Sequence, residues 1–521
     1  MSNHFIGFIS FVFCLSYSES IHAQEEWVDT AAFARIRQAE MSASQVPEIA
    51  HYLTDVSGSR LTNSPGFYRA ANWAVDQMKK WGLANAGLEP WGEYGRGWDP
   101  VYFNISMLKP YPGYILGYPQ PWTSNTPGEI RAPVYFVLQN NLRDSAFLQI
   151  HRADFKGKII LVGSVLTAQE SDFKPFSTRY TDSELVKIPD LYVVKRQTVE
   201  MVLTSGKKIG EGFSALKDAG ALAIVTSNGT NRDGTVGVQK GSGYKMNSTV
   251  YLPQAVISSE DGFKIKRLIA SGHPVDISLN IKGEFNSEDT KGYNVVAEIP
   301  GTDPVLKDEI VMLGAHLDSW NAATGATDNA AGCVVMMEAV RLLDSLGLKP
   351  KRTIRIALWS GEEQGLLGSY NYVRNHFGNG ETGILKPEQK KVSAYFNLDN
   401  GSGKIRGIFA QGDSAAKPVF EAWLKPFHDL GAQTVPYSNT GSTDHISFEW
   451  AGIPGFQFLQ DPLDYETKTH HTNMDTYDYL QLDDMKQAAV IVASFVYQAS
   501  IRPDLIPRKK FSPEKFVFDG R

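Results

Sequence analysis

His316 and Asp318, two residues apart, close the apolar run that begins at Ile310, and Asp328 follows across a Gly/Ala-rich loop. Three later segments end the same way. Glu362 and Glu363 follow RTIRIALWSG, Asp399 follows VSAYFNL, and His470 with His471 lies one loop beyond GIPGFQFLQ. Imidazoles and carboxylates without thiolates form a hard-to-borderline ligand set suited to zinc. The carboxylates are too many for one closed structural site, so a metal pair sharing one carboxylate is the natural reading. Two cations about 3.5–4 Å apart need a bridging anion and a bridging water, and Asp328, central in its loop, is the candidate bridge. Of the adjacent Glu362 and Glu363, one can face a given metal while the other accepts a proton from the activated water, which is hydrolytic chemistry. Asp318, on the same strand face as His316, can accept the imidazole's second N–H and so orient the ring.

The elements that must position these groups read as strand alternating with helix. From residue 294 the chain gives NVVAEIP, EIVMLGAHLD, a helix over 329–346 and RTIRIALWSG. A helix near 364–377, VSAYFNLDN, a helix near 415–430, GIPGFQFLQ and a helix over 482–499 follow. Runs apolar on both faces, separated by helices, predict an α/β fold: a mixed, mostly parallel central sheet with helices on both faces. In such sheets functional groups collect beyond the C-terminal strand ends. Upstream, Phe67 to Trp81 has helical periodicity after the turn Asn63-Ser64-Pro65-Gly66 and stops at Gly82. From residue 131 the texture shifts to short runs (APVYFVL, GKIILVGS, ALAIVTS, LPQAVISS), closing near VDISLNIKGEF. These predict an inserted, mostly β module over 131–285, dividing the main domain into 24–130 and 286–510, with a charged tail over 511–521.

Bulk properties exclude several classes. At 521 residues, 42% hydrophobic and 21% charged, the chain is an ordinary globular composition long enough for two domains. A net charge of −6 offers no basic field for nucleic acid or for a membrane surface. The apolar run Phe5 to Leu15 is too short for a stable membrane span and suits the core of a signal peptide, with cleavage after Ala23. An exported, periplasmic or extracellular, chain is therefore expected. Removal of residues 1–23 takes Cys14 with it and leaves Cys333 as the single cysteine, so no intramolecular disulfide is expected. Cys333 lies in an apolar helical run and reads as core.

His316-x-Asp318, Thr327-Asp328-Asn329, Glu362-Glu363, Asn397-Leu398-Asp399 and His471-Thr-x-x-Asp475-Thr together resemble the co-catalytic di-zinc exopeptidases. That group includes secreted bacterial aminopeptidases, carboxypeptidase Q and glutamate carboxypeptidase. HLDSW at 316–320 and the doubled histidine before Thr472 look nearest to the carboxypeptidase Q kind. KGKIILV and LKDAGALAIV make the insert similar to a protease-associated domain. The resemblance implies one zinc on His316, Asp328 and Asp399 and a second on Asp328, Glu363 and His471. It also implies Glu362 as general base, Asp318 as the orienting residue, and a cis peptide at Asp328–Asn329. His470 is a candidate for oxyanion or substrate contact, Asp444 for support of the site, and Trp320 for a cleft wall. The expected activity is release of residues from a free terminus, most simply as aminopeptidase or dipeptidase, with a peptide substrate and at most a second copy of the chain as partner. The rivals are a glutaminyl-cyclase-like acyltransferase using one zinc and a binding protein on the same fold that has lost its metals.

Overall fold

A computed structural model of the chain describes residues 26–164, 173–188, 199–227 and 232–513. The expected leader, with its cleavage point after Ala23, lies outside the described residues. The strands that carry the candidate ligands form the middle of a seven-stranded sheet. Its order is Ala84–Glu93, Lys291–Ile299, Thr353–Trp359, Ile310–His316, Val392–Asn397, Gly455–Gln460, Ile405–Ile408. The four strands from Thr353–Trp359 to Gly455–Gln460 run parallel, while the remaining pairings toward both edges are antiparallel. The sheet is mixed, as expected, and its parallel part is the part that matters: His316 pairs with Trp359, Gly314 with Asn397, and Asn397 with Gln457. The C-terminal ends of these strands therefore stand in one row.

Both faces of the sheet are covered, which explains why the central strands read as continuous apolar runs. Side chains alternate across a strand. Val311, Leu313 and Ala315 pack against Ala331–Ser345 and Leu482–Ile501 on one face. Met312 joins Tyr372, Phe377 and Phe448 on the other. Truncating a fully buried residue such as Leu313 to Ala would cost about 2–5 kcal/mol. The helix expected over Phe67 to Trp81 spans Pro65–Lys80; Ser64 caps it by accepting the Phe67 N–H, and Pro65 occupies its first turn. Among the described residues no helix is long and apolar enough to cross a membrane.

A second sheet of eight strands corrects the expected boundary at residue 131. Its strand Gly97–Lys109 pairs along its length with Asp276–Asn286, and Gly117–Pro119 pairs with Gln254–Ile257. Residues from Gly97 onward, assigned from sequence to the main domain, thus belong to this sheet. The shift in texture at 131 marks the start of its parallel strands (Ile130–Leu138, Ile159–Gly163, Ala223–Ser227, Gln254–Ile257), of which the last three are almost wholly buried. Gly97–Lys109 is half exposed and carries no such apolar run. The region also contains the helices Val199–Asp218 and Ser259–Ala270. Its loops reach back to the main sheet through the bridges Gly237–Thr472 and Thr178–Leu463. Arg179 adds ion pairs to buried Asp461 (3.0 Å) and Asp484 (2.6 Å).

Candidate metal centre

His316 is the last residue of its strand and is 1% exposed. Its Nδ1 lies 3.0 Å from the carbonyl oxygen of Asp318. A carbonyl can only accept, so Nδ1 carries the proton there and Nε2 is presented to the row of strand ends. Nε2 stands 3.2 Å from Asp328 Oδ1 and 3.5 Å from Asp399 Oδ1, with Glu362 Oε2 at 4.0 Å. The sequence leads to the expectation that the Asp318 carboxylate takes the imidazole N–H. Its nearer oxygen is instead 3.7 Å away. That carboxylate accepts from the backbone N–H groups of Glu362 (3.2 Å) and Glu363 (3.3 Å) and from the Thr62 hydroxyl (3.0 Å). The turn after Trp359 aims its peptide N–H groups at the end of the sheet, where only a buried acceptor can satisfy them.

Asp328 sits between two imidazoles. Its Oδ1 faces His316, while its Oδ2 is 3.3 Å from His471 Nε2 and 3.9 Å from His470 Nε2. The Asp328–Asn329 peptide is cis. Asn329 fastens this loop to the neighbouring one: its amide donates to the Leu398 carbonyl (2.9 Å) and its oxygen accepts the Gly332 N–H (2.9 Å). Gly332 is required at that point, since a Cβ would lie 2.3 Å from the Leu398 oxygen. Glu363 reaches across with Oε2 2.9 Å from His471 Nε2. His471 has φ +59°, a conformation that non-glycine residues adopt only when their surroundings hold it. Here Val238 donates its N–H to the His471 carbonyl (2.9 Å), and the Gln239 amide stands 3.0 Å from His471 Nδ1.

Two groups of side chains could each grip one cation: His316, Asp328 and Asp399, and Asp328, His470 and His471. The first coincides with a triad expected from the sequence. In the second, His470 stands where Glu363 is expected, although Glu363 also touches His471. Three features fit zinc. Around a tetrahedral zinc with bonds of about 2.0–2.1 Å, ligand atoms lie about 3.3 Å apart, close to the 3.2, 3.5 and 3.3 Å separations above. Asp328 Oδ2, Asp399 Oδ1 and Glu363 Oε1 are buried oxygens without a hydrogen-bond partner. Such atoms are costly unless a cation or donor meets them. Finally, the donor set is nitrogen and oxygen from His, Asp and Glu, with the thiol of Cys333 turned away to donate to the His316 carbonyl (3.0 Å).

The electrostatics also ask for positive charge. Burial alone would lower the His316 pKa, but Asp399, Glu362 and Asp328 outweigh it and hold the imidazole well above its ordinary value. Burial, reinforced by Asp399, Asp444 and Glu363 against the opposing pull of His316, keeps Glu362 far above the usual carboxylate range. A carboxyl so placed is suited to taking and returning a proton. Burial and Asp328 do the same to Glu363. Asp444 is fully buried with both oxygens unpartnered, and its carboxyl is pushed up to about 7 by burial, with His316 opposing. His445 stands apart from the cluster: its Nε2 is 3.1 Å from the Thr440 carbonyl, and burial pulls its pKa to about 4.

Several supporting residues escaped the sequence reading. Asp475 was visible within a motif but had no assigned role; it accepts the N–H groups of Thr327 and Asp328. Arg60, wholly buried, donates to the carbonyls of Leu53 (2.9 Å), Leu317 (2.6 Å) and Gly325 (2.8 Å), and also to that of Thr324. It thereby ties the His316 strand end to the Asp328 loop. Gln239 comes from the second sheet's loops. Trp320 is buried, edge-on to His471 at 6.2 Å between ring centroids and to Trp122 at 6.3 Å, so it walls the region where the two sheets meet.

Comparison with known proteins agrees with this geometry. Residues 294–496 match the model of Peptidase family M28. The chain is 27% identical over 458 residues to mouse carboxypeptidase Q, covering 88% of this chain and 86% of the mouse protein. Its fold is similar to the crystal structure of a peptidase M28 precursor from Shewanella amazonensis, with 26% identity, a TM-score of 0.67, and 92% and 98% of the two chains covered. A zinc aminopeptidase from Bacillus subtilis shares the fold at 21% identity, with a TM-score of 0.52 and coverage of 92% and 96%.

Proposed function

We propose that this chain, a zinc metallopeptidase of peptidase family M28 and thus a hydrolase, is an exported exopeptidase. It would use two zinc ions to release residues from a free amino terminus or to split dipeptides. The observation that carries the reading is Asp328, whose two oxygens face two different imidazoles at 3.2 and 3.3 Å. A single-zinc site would have no use for that divided arrangement. His316, Asp328 and Asp399 would hold one ion. Asp328, Glu363 and His471 would hold the other, with Glu363 preferred to His470 because its side chain is 2% exposed against 23% and its charge offsets a cation's. Zinc so bound supplies electrophilic pull on the scissile carbonyl and makes water acidic enough to attack near neutral pH.

The remaining steps belong to the chain's own side chains. Glu362, beside His316 and at the rim of the cluster, takes the proton from the attacking water and returns it to the leaving amine. Asp318 holds the Glu362 and Glu363 backbone in place through their N–H groups. His470, tilted against Tyr465 with 4.8 Å between ring centroids, borders the same space and would contact the substrate's oxygen. The leader ending at Ala23 would deliver the chain outside the cytoplasm, consistent with its single remaining cysteine.

Metal content measured together with hydrolysis of dipeptides and aminoacyl anilides tests the reading. Two zincs per chain, with activity abolished and metal retained in Glu362→Gln, is the expected result. Two zincs without turnover of any free-amine substrate would remove the exopeptidase assignment. One zinc would instead favour the acyltransferase, and none the binding protein.

A further inference from the structure

A loop of the second sheet, residues 234–239, lies along residues 471–473, the segment that carries His471. The two segments run antiparallel, with Gly237 opposite Thr472. Val238 donates its N–H to the His471 carbonyl (2.9 Å), and Asn473 donates its backbone N–H to the Val236 carbonyl (3.1 Å). The Asn473 side chain extends this ladder. Its Oδ1 accepts the Val236 N–H (2.7 Å), and its Nδ2 donates to the Gly234 carbonyl (3.1 Å). A side-chain amide carries an acceptor and a donor side by side, so it can answer a backbone N–H and a carbonyl at once. Val236 and Val238, both buried, anchor the loop against Val256 of the second sheet and Ala322, which lies between His316 and Asp328 in the chain.

Asn473 stands midway between two residues that matter to the centre. Before it in the chain is His471, held at φ +59° with the Gln239 amide nitrogen 3.0 Å from its Nδ1. After it is Asp475, whose carboxylate accepts the Thr327 and Asp328 N–H groups. Both polar groups of the Asn473 side chain are directed to the loop rather than to a candidate ligand. We propose that Asn473 is a positioning residue that clamps the second sheet's loop onto the His471 segment, so that docking of that sheet and zinc binding at His471 form one linked equilibrium. Linkage is reciprocal: the factor by which docking raises zinc affinity is the factor by which zinc favours docking. This inference rests on the two-zinc reading above and adds the residue through which the second sheet acts on one ion.

The test follows amide hydrogen exchange at Val236 and Val238 during stepwise zinc loading, a readout that needs no turnover. In the unaltered chain, filling the His471 site should slow both amides about 10-fold. Asn473→Ala should weaken the zinc on His471 about 10-fold and leave the zinc on His316 within about twofold. It should also remove the zinc dependence at Val238, although the His471 carbonyl that Val238 meets is untouched. Adding Gln239→Ala to Asn473→Ala should weaken that zinc little further, since both act through one loop, whereas independent structural effects would add. The first arm needs no variant, so it decides the matter even if Asn473→Ala fails to fold. Exchange indifferent to a bound second zinc, or full zinc affinity in Asn473→Ala, would overturn the clamp and leave the two-zinc reading standing. A chain that binds fewer than two zincs would overturn both.

Discussion

The carboxylate of Asp475 grips the backbone of Asp328: its two oxygens accept the N–H of Thr327 at 2.6 Å and the N–H of Asp328 itself at 3.1 Å. One buried acid thus fixes the peptide that presents the shared ligand. It does so against like charge, for burial and the Asp328 anion push the Asp475 carboxyl up to about 7. The arrangement makes sense if cations neutralise the cluster.

Replacing Asp475 by Ala should leave two buried N–H groups unsatisfied, each costing about 1–3 kcal/mol. Zinc affinity should fall about 10- to 100-fold, as when other residues that orient ligands are lost. Chelator competition and the melting temperature measure the two effects. Asp475→Asn, which keeps one acceptor, should lie between.

Asp318→Asn should separate metal binding from catalysis. The His316 ring is held by the Asp318 carbonyl, which the substitution leaves in place, so zinc content should persist. The amide would turn a donor toward the N–H groups of Glu362 and Glu363 and displace that turn. We expect kcat to fall about 10- to 100-fold with KM little changed. Loss of zinc in parallel with activity would show that the carboxylate matters to the ligand.

Gln239→Ala should act on one ion alone. The Gln239 amide nitrogen stands 3.0 Å from His471 Nδ1 and helps fix the ring whose Nε2 faces Asp328 and Glu363. On the two-ion reading, removing that partner should weaken the zinc on His471 about 10-fold and leave the zinc on His316 unaffected. Stepwise zinc titration of the metal-free chain resolves the two. Uniform weakening of both ions would mean that the loop carrying Gln239 supports the whole centre rather than His471.

A pH effect should arise far from the centre. Glu40 is buried beside Glu338 and Arg341, and its carboxyl is raised to about 8, first by burial and then by Glu338. A folded-state pKa above the unfolded value means that the folded chain holds the proton more tightly. The resulting stability is full below about pH 4.5 and is lost as pH rises through about 8. Glu40→Gln cannot ionise, so its melting temperature should decline less between pH 5 and 9 than that of the unaltered chain. Parallel pH profiles would show that Glu40 is charged at all these pH values.

What the sequence by itself determined is the part written in short-range pattern. Runs apolar on both faces, alternating with helices, announce a covered sheet, and ligand-type residues placed at successive run ends announce where that sheet does its chemistry. His316, Asp328 and Asp399 meet because parallel neighbours in register bring their C-terminal ends into one row. Tertiary structure alone decided what holds those residues. Thr62 supports Asp318 across 256 positions of sequence, and Gln239 reaches His471 across 232. Neither residue has a neighbour in sequence that hints at its partner. Strand Gly97–Lys109 joins the second sheet through Asp276–Asn286, beyond any local signal in its half-exposed residues. The division of labour in Asp318, carbonyl to the imidazole and carboxylate to the next turn, also depends on where that turn lands. Periodicity is a local consequence of helix and strand geometry, whereas a hydrogen-bond partner is set by which distant segments fold against one another.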